Sequence, residues 1–201
     1  MYSFIERYKE IFTDSISLFL YPEQGWKKID EKYQDFTYIR DNVFIPMMLL
    51  LLVSTIFGLL INDIDKDEVS YWEYIFRNTV FELLKFFIYY YLSVIVLSYM
   101  SKLFLGKYSG KEDSYILVIS KLLTFPFCVL ILSECMSQIW TALSFTYYLS
   151  IILNLLLIWG GVDYYCDNLT DKKRTIISFI VTVYLIVMGL LVGKVINKMM
   201  F

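Results

Sequence analysis

The chain contains no histidine. This removes the commonest acid–base group near neutral pH and the imidazole on which many zinc sites depend. Cysteine is scarce. Cys128 and Cys135 are seven residues apart on one expected helix, about 10 Å by helical rise, which is beyond disulfide reach. Cys166 falls in a loop, so reduced thiols are expected. Only three prolines interrupt 201 residues. A net charge of −2 provides no basic surface, and no nucleic-acid partner is expected. Residues 1–9 are charged and amphipathic, so no signal peptide is expected. There is no phosphate-binding glycine loop, no zinc-spaced cysteine pair and no serine nucleophile motif. Asp63, Asp65 and Asp67 resemble the start of a calcium loop. Glu68 stands where such a loop needs glycine, and Tyr74 where it needs glutamate. No enzyme activity, cofactor or metal is therefore expected.

Apolar sequence is abundant instead: 58% of residues are hydrophobic and 19% aromatic, well above a typical soluble domain. Five apolar stretches cover 43–61, 81–105, 115–137, 140–162 and 175–196. Each approaches the ~20 helical residues that cross a bilayer. The expected fold is all-α: a polytopic membrane protein with five transmembrane helices. Residues 1–42 would form an amphipathic cytoplasmic helical segment, and 43–201 the bundle.

Basic residues give the orientation. Arg7, Lys9, Lys27, Lys28, Lys32, Arg40, Lys102, Lys107, Lys111, Lys172, Lys173 and Arg174 fall on the side of the N-terminus. Lys66, Arg77, Lys194 and Lys198 fall opposite. Positive charge resists translocation, which predicts a cytoplasmic N-terminus and an outer C-terminus in the cell (inner) membrane. The acidic run Asp63, Asp65, Asp67 and Glu68 then lies outside. Trp72, Trp140 and Trp159 fit the headgroup level; Trp26 lies in the N-terminal segment.

In that segment Tyr2, Ile5, Tyr8, Phe12, Ile16 and Phe19 recur at helical spacing. Glu6, Arg7, Lys9, Glu10, Thr13 and Asp14 occupy the other face. The helix should stop before Pro22 and favour contact with the membrane surface. A second short helix is expected over 26–38. Asp41 or Asn42 would cap the first span, with Pro46 in its opening turn.

Glu82, Lys85, Lys121, Glu134 and Asn154 are polar residues inside spans, where ionisable groups are costly and face the bundle interior or an interface. Lys85 and Glu134 both lie about 5–6 Å below the outer surface and are expected to pair, with Glu82, three residues before Lys85, able to share its face. Lys121 and Asn154 lie about 9 and 12 Å from the inner ends of their helices and would also meet. Either these residues fasten helices or they line a polar pathway. Pro126 should break or kink the third span. Gly189 and Gly193 form a small-xxx-small pattern suited to close helix packing, within the chain or between copies. Tyr89, Tyr90, Tyr91, Tyr147 and Tyr148 suggest an aromatic cluster.

Four segments carry a resemblance. They are Phe19-Leu20-Tyr21-Pro22 with Trp26 and Ile29; Ile45-Pro46; Phe104-Leu105-Gly106-Lys107-Tyr108-Ser109-Gly110; and Ser120-Lys121-Leu122-Leu123-Thr124-Phe125-Pro126. In this order around five spans the chain resembles the Yip family, five-span membrane proteins that interact with Ypt/Rab GTPases, over roughly 18–200. The long N-terminal extension and the aspartate-leucine-tyrosine-glycine signatures of eukaryotic members are missing. The resemblance therefore implies a bacterial-type member, a non-enzymatic organiser of membrane proteins or lipids, and argues against a GTPase partner. The lipid bilayer, other membrane proteins or a second copy are the expected partners. The alternative is a small transporter or channel subunit using Lys121, Asn154 and the Pro126 break.

Overall fold

The computed structural model describes residues 4–61, 71–104, 113–167 and 169–200. The acidic run from Asp63 to Glu68 and most of the Gly106 turn lie outside these residues. Among the described residues the regular structure is helical and no strand occurs.

Helix α1 spans Phe4–Leu20 and α2 spans Pro22–Lys32. Tyr21 between them takes φ −140°, ψ 72°, the non-helical geometry forced on a residue before proline. Pro22 then opens α2, where its missing N–H costs nothing. The second helix thus begins four residues before the expected 26 and ends at Lys32, where the Tyr33 N–H bonds back to the Ile29 carbonyl at 3.0 Å.

The first span starts earlier than expected. α3 (Phe36–Ile39) runs through a π-turn over Arg40–Phe44 into α4 (Ile45–Ile61). The boundary expected at 42/43 falls inside this continuous helical segment. Neither Asp41 nor Asn42 caps it: Asp41 pairs with Arg40 at 2.7 Å, and Asn42 Nδ2 donates to the Tyr38 carbonyl at 3.0 Å. Pro46 has no N–H to continue the α-helical ladder and its ring crowds the preceding turn. The π-turn lies just ahead of it, with the Ile45 N–H reaching five residues back to Arg40.

The other spans are α5 (Tyr71–Phe104), α6 (Asp113–Ile139), α7 (Phe145–Tyr165) and α8 (Asp171–Met200). α5 begins ten residues before the expected 81; its 34 residues span about 51 Å, more than a bilayer core. α7 starts at Phe145 rather than 140, after a 3-10 turn over Thr141–Leu143. α6 continues through Pro126, so the expected helix break is not one. Among the described residues five helices are long and apolar enough to cross a membrane, and the chain is a polytopic all-α membrane protein.

Burial identifies the hub. In α6, 67% of the apolar window is buried, against 22% in α8. α6 packs against α4, α5 and α7, while α8 leans on α5 and α7. The outward faces carry large apolar side chains such as Val53, Phe57, Ile95, Leu156 and Leu190. Hydrocarbon outside removes the penalty such exposure would carry in water.

Two features lock the bundle. Phe44 stacks on Tyr90 at 3.9 Å, and the Tyr90 hydroxyl meets Thr124 Oγ1 at 2.7 Å. At the far end, α4 and α6 touch through backbone: a Cβ on Gly58 would sit 2.2 Å from the Gln138 carbonyl oxygen.

Candidate functional site

The most constrained polar geometry lies where the N-terminal helices meet the bundle. Lys121, on α6, is buried to 2% exposure. Its Nζ lies 2.6 Å from Asp30 Oδ1 and donates to the Asp30 carbonyl at 3.1 Å. Asp30 is in the last turn of α2, where backbone carbonyls lack helical partners. The ammonium thus meets a carboxylate, a carbonyl that it shares with the Gln34 amide at 2.6 Å, and the negative end of the helix dipole together.

Aromatic packing seats α2 on α6 and α7. Trp26 is fully buried, edge-on to Tyr165 at 5.9 Å. It fits because residue 161 is glycine: a Cβ there would lie 2.3 Å from Leu122 Cδ1 and 2.8 Å from Trp26 Cζ2. About two turns further along, Tyr33 meets Phe125 edge-on at 5.4 Å. Trp26, Ile29 and Tyr33, at i, i+3 and i+7, form a single buried stripe.

α1 is fastened to α2 by a second charge cluster. Asp14, placed on the wet face by the sequence pattern, is buried instead. Its carboxylate takes Lys28 Nζ at 2.8 Å, Lys32 Nζ at 2.6 Å and the Tyr33 hydroxyl at 2.9 Å. Lys32 also reaches Glu10 at 3.3 Å. Gly25 permits the crossing, since a Cβ there would stand 2.9 Å from Leu18 Cα. α1 also reaches the first span, where the Tyr8 hydroxyl donates to the Pro46 carbonyl at 2.6 Å.

Burial opposes the charge on Asp14, but hydrogen bonds from Lys28, Lys32 and Tyr33 outweigh it and hold its pKa below the usual carboxylate value. Burial likewise opposes the charge on Lys32, but Asp14 and Glu10 raise its pKa. Burial beside Asp14 pushes the Tyr33 phenol up. The lowered carboxylate adds stability above its unfolded pKa, about 3.9, and loses it as pH falls through the folded value. The raised lysine adds stability below about 10.4 and loses it as pH rises through its higher folded value. Attachment of α1 to α2 is therefore expected to be firmest between these limits. Protection of α1 amides relative to their intrinsic exchange rates should fall on acidification below pH ~4, and Asp14→Asn should flatten that acid limb.

The other intramembrane polar residues pair differently from expectation. Lys85 binds Glu82 at 2.5 Å, its own-helix neighbour three residues back. That contact forms without depending on interhelical register. Glu134 accepts instead from Gln138 Nε2 at 2.9 Å, while remaining within electrostatic reach of Lys85 and Glu82. Lys121 and Asn154 do not meet, because Lys121 is turned toward α2. Asn154 lies elsewhere on α7, at 4% exposure, and both its amide atoms lack a partner. Pro126 shares a cavity with Asn154. Of the glycine pair, Gly189 lies against the Tyr89 ring, while a Cβ on Gly193 would meet nothing within 4 Å. Tyr89 donates to the Leu185 carbonyl at 2.7 Å, tying α5 to α8.

Asp30, Asp14, Trp26, Tyr33, Gly25, Gly58 and Gly161 are the contacts that sequence reasoning missed. The signals were the apolar stripe on α2 and a lysine deep in one span with no acid at matching depth in another. Among the described residues no cluster suited to a metal ion is present. No family model, curated protein or solved structure matches the chain, so the functional reading rests on this geometry.

Proposed function

We propose that the chain is a non-enzymatic, Yip-like organiser of membrane proteins or lipids in the cell membrane, with its N-terminus cytoplasmic and its C-terminus outside. The observation that carries this reading is the Asp30–Lys121 contact. A transport pathway through Lys121 would need that lysine free to meet solute or protons. Here that lysine is neutralised beneath a helical cap wedged between α6 and α7. The cap supplies a platform held rigidly to the bundle. On α1, Ile5, Phe12, Ile16 and Leu20 form an exposed apolar stripe, and Tyr8 anchors the same helix at Pro46, near the mouth of the first span. That position suits a helix lying in the inner headgroup region, its stripe toward the acyl chains. The basic excess on the same side supports the orientation.

The small-transporter reading would require Lys121, Asn154 and Pro126 to act together, and only the last two share a cavity. Proteoliposomes with an entrapped pH dye separate the readings. The expected result is no proton flux above protein-free vesicles with either wild type or Lys121→Met. Flux present in wild type and abolished in Lys121→Met overturns the organiser reading.

A further inference from the structure

The cavity beside Asn154 has a volume of about 290 Å³ and lies among α5, α6, α7 and α8. Tyr89, Pro126, Phe127, Tyr147 and Gly189 share its wall with Asn154. Tyr148 and Leu190, at 70% and 66% exposure, stand at its lipid-facing side. Among the described residues no charged one lines it. Asn154 is the tenth residue of α7, so it lies about 14 Å along a helix of 21 residues, near the middle of the hydrocarbon. At that depth water does not compensate an unpaired amide, yet both its donor and its acceptor are unpartnered.

The structure assigns this cavity as a binding site for a small apolar molecule, or an acyl-chain segment, bearing one uncharged hydroxyl or amide. The size lies at the lower end of small-molecule pockets. The amide needs a group that both donates and accepts a hydrogen bond, which a hydroxyl or an amide does and a hydrocarbon does not. A charged headgroup is excluded by the absence of a counter-charge and by depth. Entry is lateral, from the bilayer, past Tyr148 and Leu190. This inference is independent of the organiser reading and survives its failure.

Photolabelling tests it with the full chain in lipid nanodiscs. The probes are an eight-carbon alcohol carrying a diazirine and the eight-carbon alkane carrying the same diazirine. Adducts are mapped by peptide mass spectrometry. The alcohol is expected to label the cavity wall in preference to the outward faces of α4 and α5. Asn154→Leu should reduce alcohol labelling about five-fold, the worth of one hydrogen bond, and leave alkane labelling unchanged. Leu190→Trp, a change on the lipid side that does not burden folding, should reduce labelling by both probes. Excess octanol and excess phospholipid with a mid-chain hydroxyl distinguish a free molecule from a chain-borne group. Displacement by either supports the site, and displacement by neither overturns it. Equal labelling by alcohol and alkane, indicating water or an empty void, also overturns it. So does alcohol labelling unchanged by both variants, or a chain-to-chain adduct through Tyr148 showing that a second copy fills the groove.

Discussion

Asp30→Ala is expected to destabilise the chain by about 3 kcal/mol, because it strands a buried ammonium. The figure belongs at the low end of the range for broken buried pairs, since the Asp30 side chain is 41% exposed while that of Lys121 is 3% exposed. Water already reaches one member, and the Asp30 backbone carbonyl would remain for the ammonium. The distinctive expectation concerns the double variant. Asp30→Ala with Lys121→Met removes both charges, and methionine fills much of the space of the lysine stem. The double variant should therefore be more stable than Asp30→Ala alone, by about 2 kcal/mol, through non-additivity between contacting groups. Denaturant unfolding in detergent gives the cycle. Proteolysis within 33–35, between α2 and α3, should accelerate in Asp30→Ala and recover in the double variant. Simple additivity would mean that the pair does not hold the cap.

Gly58→Ala is expected to cost about 3 kcal/mol, the upper end of overpacking losses. The added Cβ would stand 2.2 Å from a carbonyl oxygen of α6. Backbone cannot rotate away as a side chain can, so α4 and α6 must separate by about 1 Å to restore ordinary contact. Gly193→Ala provides the control. It meets nothing within 4 Å, and alanine favours helix over glycine by up to about 1 kcal/mol. Thermal melts in one detergent should place Gly58→Ala well below wild type and Gly193→Ala at or above it. The Gly161 site lies between these cases: Leu122 Cδ1 can move, whereas the Trp26 ring is pinned by Tyr165.

The membrane class was legible because apolar run length is a one-dimensional property, and so were five spans and the stop at Pro22. Helix starts were less so. The first span begins at Phe36 because a π-turn carries the helix past Pro46, and α5 begins at Tyr71 because helix extends beyond hydrocarbon. Depth matching failed for Lys121 because it assumed that partners come from other spans. The partner lies 91 positions earlier, on a helix placed in the cytoplasmic segment outside the spans. For Lys85 depth matching placed Glu134 within electrostatic reach, while the direct contact went to Glu82, three residues back on the same face. Gly189 and Gly193 share a motif but not an environment. Gly25, Gly58 and Gly161 match no motif and occupy the tight crossings. Close approach depends on where helices cross, which spacing within one helix does not encode.

The contact between Asp30 and Lys121 also sets an order of events during synthesis. α2 is complete long before α6 exists, and at 5–20 residues per second the 91 intervening positions take roughly 5–20 s to add. Through that interval Trp26, Ile29 and Tyr33 have no α6 or α7 to cover them. A nascent α1–α2 pair with apolar faces rests on the nearest apolar medium, the bilayer surface beside the insertion site. The stripe of Ile5, Phe12, Ile16 and Leu20 keeps its outward face when α2 is covered, and the cap closes when the hub helix arrives.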